Sequence, residues 1–140
     1  MDKYTIIKLK CDGYERYALL KKGEKELWVH FIDFLEYIED GEISEIKKSG
    51  TSITGNLAVD LVNVCEKTDD ELSFTQHIIG SSSIRAVVRV IKVIDDYTVI
   101  AESDFADEPV EVSFEDKKIL KEGDVVYIEG SLEFEELKQT

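Results

Sequence analysis

Two histidines, His30 and His77, and two cysteines, Cys11 and Cys65, are the side chains of this protein best suited to acid–base, nucleophilic or metal chemistry. Their spacing argues against local use of any of them. There is no His-x-x-x-His, His-Glu-x-x-His or Cys-x-x-Cys arrangement, so the short-range geometry that holds zinc or sets up a thiol redox pair is missing. Each histidine reads as a strand residue with an ordinary hydrogen bond, and the cysteines read as reduced thiols on half-buried strands. A Cys–His pair assembled by the fold escapes this test, because a nucleophile and its base must be close in space and not in sequence. Gly80-Ser81-Ser82-Ser83 has the composition of a phosphate cradle, but a strand pattern follows it where a cradle needs a helix N-terminus. The sequence therefore predicts a protein that is not an enzyme and uses no cofactor.

Carboxylates are the abundant functional group. Asp and Glu number 31 against 17 Lys and Arg, a formal charge of −14 over 140 residues. Glu36, Glu39, Asp40, Glu42 and Glu45 crowd one stretch, and Asp69-Asp70-Glu71 a second. Asp104, Asp107 and Glu108 form a third, and Glu133, Glu135 and Glu136 a fourth. Calcium loops need oxygen ligands at fixed spacing with a glycine at the sharp turn, and neither 69–71 nor 104–108 has that pattern, so no metal site is expected. Such a field steers a basic partner, raising association roughly 10- to 1,000-fold at low salt; alternatively it only keeps the surface solvated. The expectation is a non-catalytic acidic protein-binding module. It would be an inhibitor or immunity protein that occludes a basic protein such as a nuclease toxin, through Glu36, Glu39, Asp40, Glu42, Glu45, Asp104, Asp107 and Glu108.

The elements that must position these groups are mostly strands. With 43% hydrophobic residues and charge spread through the chain, the sequence should fold. Tyr4 to Lys10, Tyr14 to Leu20 and Glu26 to Phe31 alternate as strands around the Asp12-Gly13 and Lys22-Gly23 turns, predicting an N-terminal meander. Phe31, Phe34, Leu35 and Ile38 share a helical face, predicting one short helix over 32–38. Trp28 is expected in the core. A soft boundary near residue 49 separates an N-terminal β-rich lobe, 1–49, from a barrel-like part, 50–140, within one compact domain overall. Ile53 to Val64 reads as a strand in which Gly55 permits a bulge or a close backbone approach. Leu72 to Ile79, Ile84 to Ile94, Thr98 to Ser103, Val110 to Phe114 and Val125 to Phe134 follow as strands, with one helical turn over Lys117 to Leu120. No internal repeat is read. Met1 to Thr5 enters strand pattern with no apolar leader core, and no run is long enough to span a bilayer, so a cytoplasmic protein with no membrane contact is expected. The fold class is mainly β, a small, partly open barrel or a sandwich.

The run Ala86 to Val99, a short amphipathic strand, and then Leu120-Lys121-Glu122-Gly123-Asp124-Val125-Val126-Tyr127-Ile128 resembles the OB-fold barrels over the last 55 residues or so. That resemblance implies a five-stranded Greek-key barrel with ligand-binding loops. It also implies a second function, an OB-like nucleic-acid-binding subunit of a larger assembly that uses Arg85, Arg89 and Lys92. The sequence departs from nucleic-acid-binding members of that fold in having few basic residues there.

Overall fold

The computed structural model describes residues 2–44 and 47–137. Among them the regular elements are nine strands: β1 (Asp2–Asp12), β2 (Glu15–Lys22), β3 (Lys25–Ile32), β4 (Ser52–Lys67), β5 (Ser73–Thr75), β6 (Ser83–Asp95), β7 (Thr98–Glu102), β8 (Val110–Phe114) and β9 (Val125–Glu136). No helix forms among the described residues, so the expected helix over 32–38 and the helical turn at Lys117 to Leu120 are both corrected. The expected strand from Leu72 to Ile79 shrinks to β5, whose three residues pair only with β6.

The spine is the antiparallel pair β4 and β9, registered from Gly55 opposite Glu136 to Lys67 opposite Val126. A three-strand meander leads into each of these long strands. Strands β1, β2 and β3 run into β4, which returns antiparallel to β1 at Tyr4 opposite Ile53. Strands β6, β7 and β8 run into β9, which returns antiparallel to β6 at Ile84 opposite Gly130. Each circuit is closed by the other unit's long strand in parallel: β3 meets β9 at His30 opposite Glu133, and β8 meets β4 from Ala58 opposite Glu111 to Val62 opposite Phe114. The result is one ring-like sheet built from two four-strand units of equivalent pairing. The sequence, in which no repeat is visible, gives no hint of this duplication of plan.

Alternation decides which side chains face inward. In β3, Leu27, Val29 and Phe31 are buried while Trp28 and His30 lie on the half-buried outer face. Trp28 is therefore not a core residue: the odd-numbered positions took the core. The Gln76 side chain covers its backbone, accepting from the Trp28 N–H at 2.9 Å and donating to the Trp28 carbonyl at 2.7 Å. A strand edge that would otherwise be open to another chain is closed in this way. One continuous core runs through both circuits, from Ile6, Leu20 and Val29 to Val88, Val112 and Ile128, with Val59 and Leu132 from the shared spine.

Two glycines let the spine coil. A Cβ on Gly55 would stand 2.1 Å from the Glu135 carbonyl oxygen, which makes the expected close backbone approach real. On Gly130 it would stand 2.7 Å from the Asp60 carbonyl oxygen and 2.9 Å from methyls of Val59 and Val62. Opposite Gly130 the β4 register slips between Asp60 and Val64, and Leu61 takes up a φ of 54°. Gly130→Ala is expected to lower stability by about 3 kcal/mol, because backbone must move to admit the methyl. In urea unfolding the midpoint should fall with an unchanged slope; a loss of less than about 0.5 kcal/mol would show that the crossing has room.

Candidate functional site

The strand parity that fills the core with Ala18 and Leu20 also places Arg16 inside, and it is the largest fully buried side chain. A buried guanidinium is tolerated only where hydrogen bonds replace water. Its Nη1 donates to the carbonyls of Gly13 at 2.8 Å and Glu15 at 3.0 Å, and its Nη2 donates to the carbonyl of Glu36. Its Nε–H finds no acceptor among the described residues. The Glu36 bond reaches across 20 residues and ties the segment after β3 to the first turn. Beside it, the Gly13 N–H donates to the Ile38 carbonyl at 2.7 Å and the Ile38 N–H to the Gly13 carbonyl at 3.0 Å.

These bonds explain why 32–38 is not a helix. A seven-residue segment has too few internal bonds to sustain a helix alone. Here its backbone groups are taken by Arg16 and Gly13, and the Asp33 carboxylate accepts from the Leu35 N–H at 3.0 Å, a local turn that competes with helix. The four residues of the expected apolar face divide accordingly: Phe31 and Ile38 are buried, while Phe34 and Leu35 stand 68% and 71% exposed.

The outcome is an apolar surface held on a pinned loop. Tyr14 packs 5.7 Å from Phe34 and, edge-on, 5.1 Å from Tyr37, ring centre to ring centre. Tyr37 is 61% and Ile43 81% exposed. Glu39, Asp40 and Glu42 are exposed on the same loop and form no ion pair among the described residues. Glu36 differs from them in being half-buried, with its carboxylate accepting from Ser44 Oγ at 2.6 Å. Glu45 lies outside the described residues.

Behind the loop sits a buried ion cluster. Lys47 Nζ lies 2.8 Å from Asp33 Oδ2 and 3.2 Å from Glu136 Oε1, with the Lys47 and Asp33 side chains 7% and 6% exposed. The Lys47 N–H donates to Ser44 Oγ at 2.9 Å. Burial pushes the Asp33 carboxyl up, but the hydrogen bonds from Lys47 and the Leu35 N–H outweigh it and hold the group below the usual carboxylate range. Burial pulls Lys47 down, but its contacts with Asp33 and Glu136 outweigh that and raise it.

The second expected acidic patch is elsewhere and differently used. Asp107 pairs with Lys22 at 2.7 Å, Lys22 also holds Asp2 at 2.6 Å, and Lys25 Nζ donates to the Asp104 carbonyl at 2.5 Å. These ties pull the Asp107 carboxyl down and raise Lys22. Asp104, Asp107 and Glu108 are exposed, but they gather at the Lys22 end of β2, whereas Tyr14 and the pinned loop are at its other end. Eight residues of strand separate the two groups by about 25 Å. The eight predicted carboxylates therefore do not form one surface.

The predicted basic strip lies on β6. Arg89 is paired with Glu102, Arg85 faces Glu129 on β9 and forms no ion pair among the described residues, and Lys92 is exposed opposite Ile100 on β7. Two of its three basic residues, Arg85 and Arg89, thus face a carboxylate. His30 and His77 are far apart in role: His77 lines an open depression with Arg85 and Glu129, while His30 Nδ1 donates to Glu133 at 2.9 Å and its Nε2 lies 3.3 Å from Glu15 Oε1. Burial raises the Glu133 carboxyl, opposed by His30. Cys11 and Cys65 are free thiols, both raised by burial. No group of three or more His, Cys, Asp or Glu among the described residues is arranged to hold a metal ion. No helix long and apolar enough to cross a membrane is found among the described residues.

Comparison with protein-family models, curated proteins and solved structures yields no match. Sequence reasoning overlooked Arg16 and the Asp33–Lys47 pair. Arg16 was within reach, because it shares parity with Ala18 and Leu20; the pair was not, since two loop residues 14 apart carry no periodic signal.

Asp33 gives a signed pH dependence. A carboxyl held below its unfolded value stabilises the fold above that value, and the contribution disappears as pH falls through the folded pKa. Asp33→Asn is expected to cost about 2 kcal/mol at pH 7, less than a fully orphaned buried charge because Glu136 still faces Lys47. The variant should also lose less stability than wild type as pH falls below about 4. Urea midpoints at pH 7 and in that acid window check both; parallel pH curves would remove Asp33 from the account.

Proposed function

We propose that this protein is a non-catalytic binding module that docks on a basic protein, acting in the cytoplasm as an inhibitor or immunity protein does, by covering its partner's working surface. The observation that carries this reading is the pairing of opposites on one pinned loop: Phe34 and Tyr37 packed on Tyr14 of the first turn, with Phe34, Leu35, Tyr37 and Ile43 all exposed and Glu39, Asp40 and Glu42 on the same loop lacking counter-ions among the described residues. Rigid aromatic anchors inside a charged rim are the composition of binding hot spots, and clustered exposed apolar groups are uncommon on a surface kept only for solubility. The −14 charge favours a cationic partner and repels polyphosphate. The free thiols suit a reducing compartment.

In this reading Glu39, Asp40 and Glu42 guide approach, the aromatic residues provide the desolvated centre, and Asp107 and the Asp104 backbone have their principal role in the fold's own ties to Lys22 and Lys25. Each strand circuit is read as a small barrel of the OB kind, with the loop after β3 as its ligand-bearing edge. With Arg85 and Arg89 each facing a carboxylate, the strip with Lys92 gives the nucleic-acid reading no comparable support.

The test uses two variants with the same change in net charge. Glu39, Asp40 and Glu42 are reversed to lysine in one, and Asp69, Asp70 and Glu71 in the other. Low-salt capture of basic proteins from host lysate is expected to fall more than about tenfold for the first and to stay within about twofold for the second. Cross-links from the captured protein should map to 34–43. Equal loss in both variants would reduce the effect to bulk charge and reject the face.

A further inference from the structure

Resting on that reading, we infer that the groove beside the aromatic face, between the end of β3 and the end of β9, is the seat for a short segment of the partner that carries one large apolar side chain flanked by lysine or arginine. The two strands meet only at His30 and Glu133 and then diverge. The gap beyond is a groove of about 960 Å³. Ile32, Phe34 and Leu35 form one wall, Leu137 stands on the other, and Phe134 and Ile53, both 4% exposed, lie beneath. Phe34 belongs to the groove and, through its packing on Tyr14, to the docking face, so the two are continuous.

Charge selects the occupant. Among the described residues that line it, the groove carries Asp33, Glu135 and Glu136 against one cation, Lys47, which Asp33 and Glu136 already hold. Glu135 is exposed and forms no ion pair among the described residues. An apolar group entering here must arrive past unbalanced carboxylates, which a basic flank satisfies and an acidic one does not. A second copy of this chain brings −14 of like charge, and an anionic lipid surface or a nucleic acid is repelled in the same way. The fit is therefore to a cationic protein segment with an aromatic or long aliphatic anchor.

Three blocked pentapeptides test this on the ¹⁵N-labelled full chain: tryptophan between two lysine pairs, glycine between two lysine pairs, and tryptophan between two glutamate pairs. The first is expected to give saturable amide shifts centred on Ile32, Leu35 and Leu137. The other two should bind at least about tenfold more weakly, one lacking the anchor and the other the charge. Leu35→Ser, at an exposed position that folding does not need, should weaken the first peptide about tenfold. Equal binding of the glutamate peptide, equal binding of the glycine peptide, shifts centred elsewhere, or groove shifts that grow with protein concentration alone would each overturn the inference. Failure of the docking reading itself is recorded separately, by equal capture with the two charge-reversed variants, and does not depend on these peptides.

Discussion

The buried guanidinium of Arg16 is the interaction on which the presented surface depends. A charge inside a small β-protein is destabilising unless acceptors surround it, and here backbone carbonyls of Gly13, Glu15 and Glu36 provide them. Two of these carbonyls belong to the turn region next to Arg16 and the third to a loop 20 residues away, so satisfying the charge and folding the loop are one event. The Gly13 and Ile38 backbone bridge and the Asp33–Lys47 pair then hold the loop from two more sides. Phe34, Leu35 and Tyr37 stay exposed while the Asp33 side chain and the Glu36 carbonyl turn inward to Lys47 and Arg16. A loop ordered before binding loses less conformational entropy on contact than a free one, which is the condition for a small apolar face to bind well.

The second constraint is the spine. Because β4 and β9 each serve both circuits, their crossing is shared, and Gly55 and Gly130 are the places where backbones approach too closely for a side chain. The same arrangement leaves β3 and β9 joined at a single registered pair. Divergence beyond it opens the groove, and the residues that follow β3 line it. Closure of the sheet and formation of the candidate site are therefore consequences of one geometry.

Much of the local structure was legible in the sequence, and little of the long-range structure was. Strict alternation in 110–114 and 125–134 located β8 and β9, and the Asp12-Gly13 and Lys22-Gly23 steps located the first two turns, because those signals are set within a few residues. Gly55 was recognisable as a close approach, although its partner strand was not. Trp28 was misplaced because hydrophobicity outweighed parity: Leu27 and Val29 claim the inner face. The 32–38 helix failed because its periodicity is real while its hydrogen bonds go to Arg16, Gly13 and Asp33. Glu36, Glu39, Asp40 and Glu42 of the acidic stretch fall on the pinned loop, yet composition alone could not separate Glu39, Asp40 and Glu42, which keep their charge exposed, from Glu36 and Asp107, which are held by Ser44 and Lys22. The duplicated pairing of the two four-strand units lies in topology, which contact between distant strands decides.

The central claim is that Arg16 orders the loop that carries the candidate face. ¹⁵N relaxation of the Arg16→Met chain addresses it most directly, since methionine keeps the volume and removes both the charge and its donors, a replacement that buried sites commonly tolerate. The account predicts that amides of 34–43 fall from the rigid range, an order parameter of about 0.85, to below about 0.6, while β4 and β9 amides keep their values. Undiminished order across 34–43 in the folded variant would contradict it.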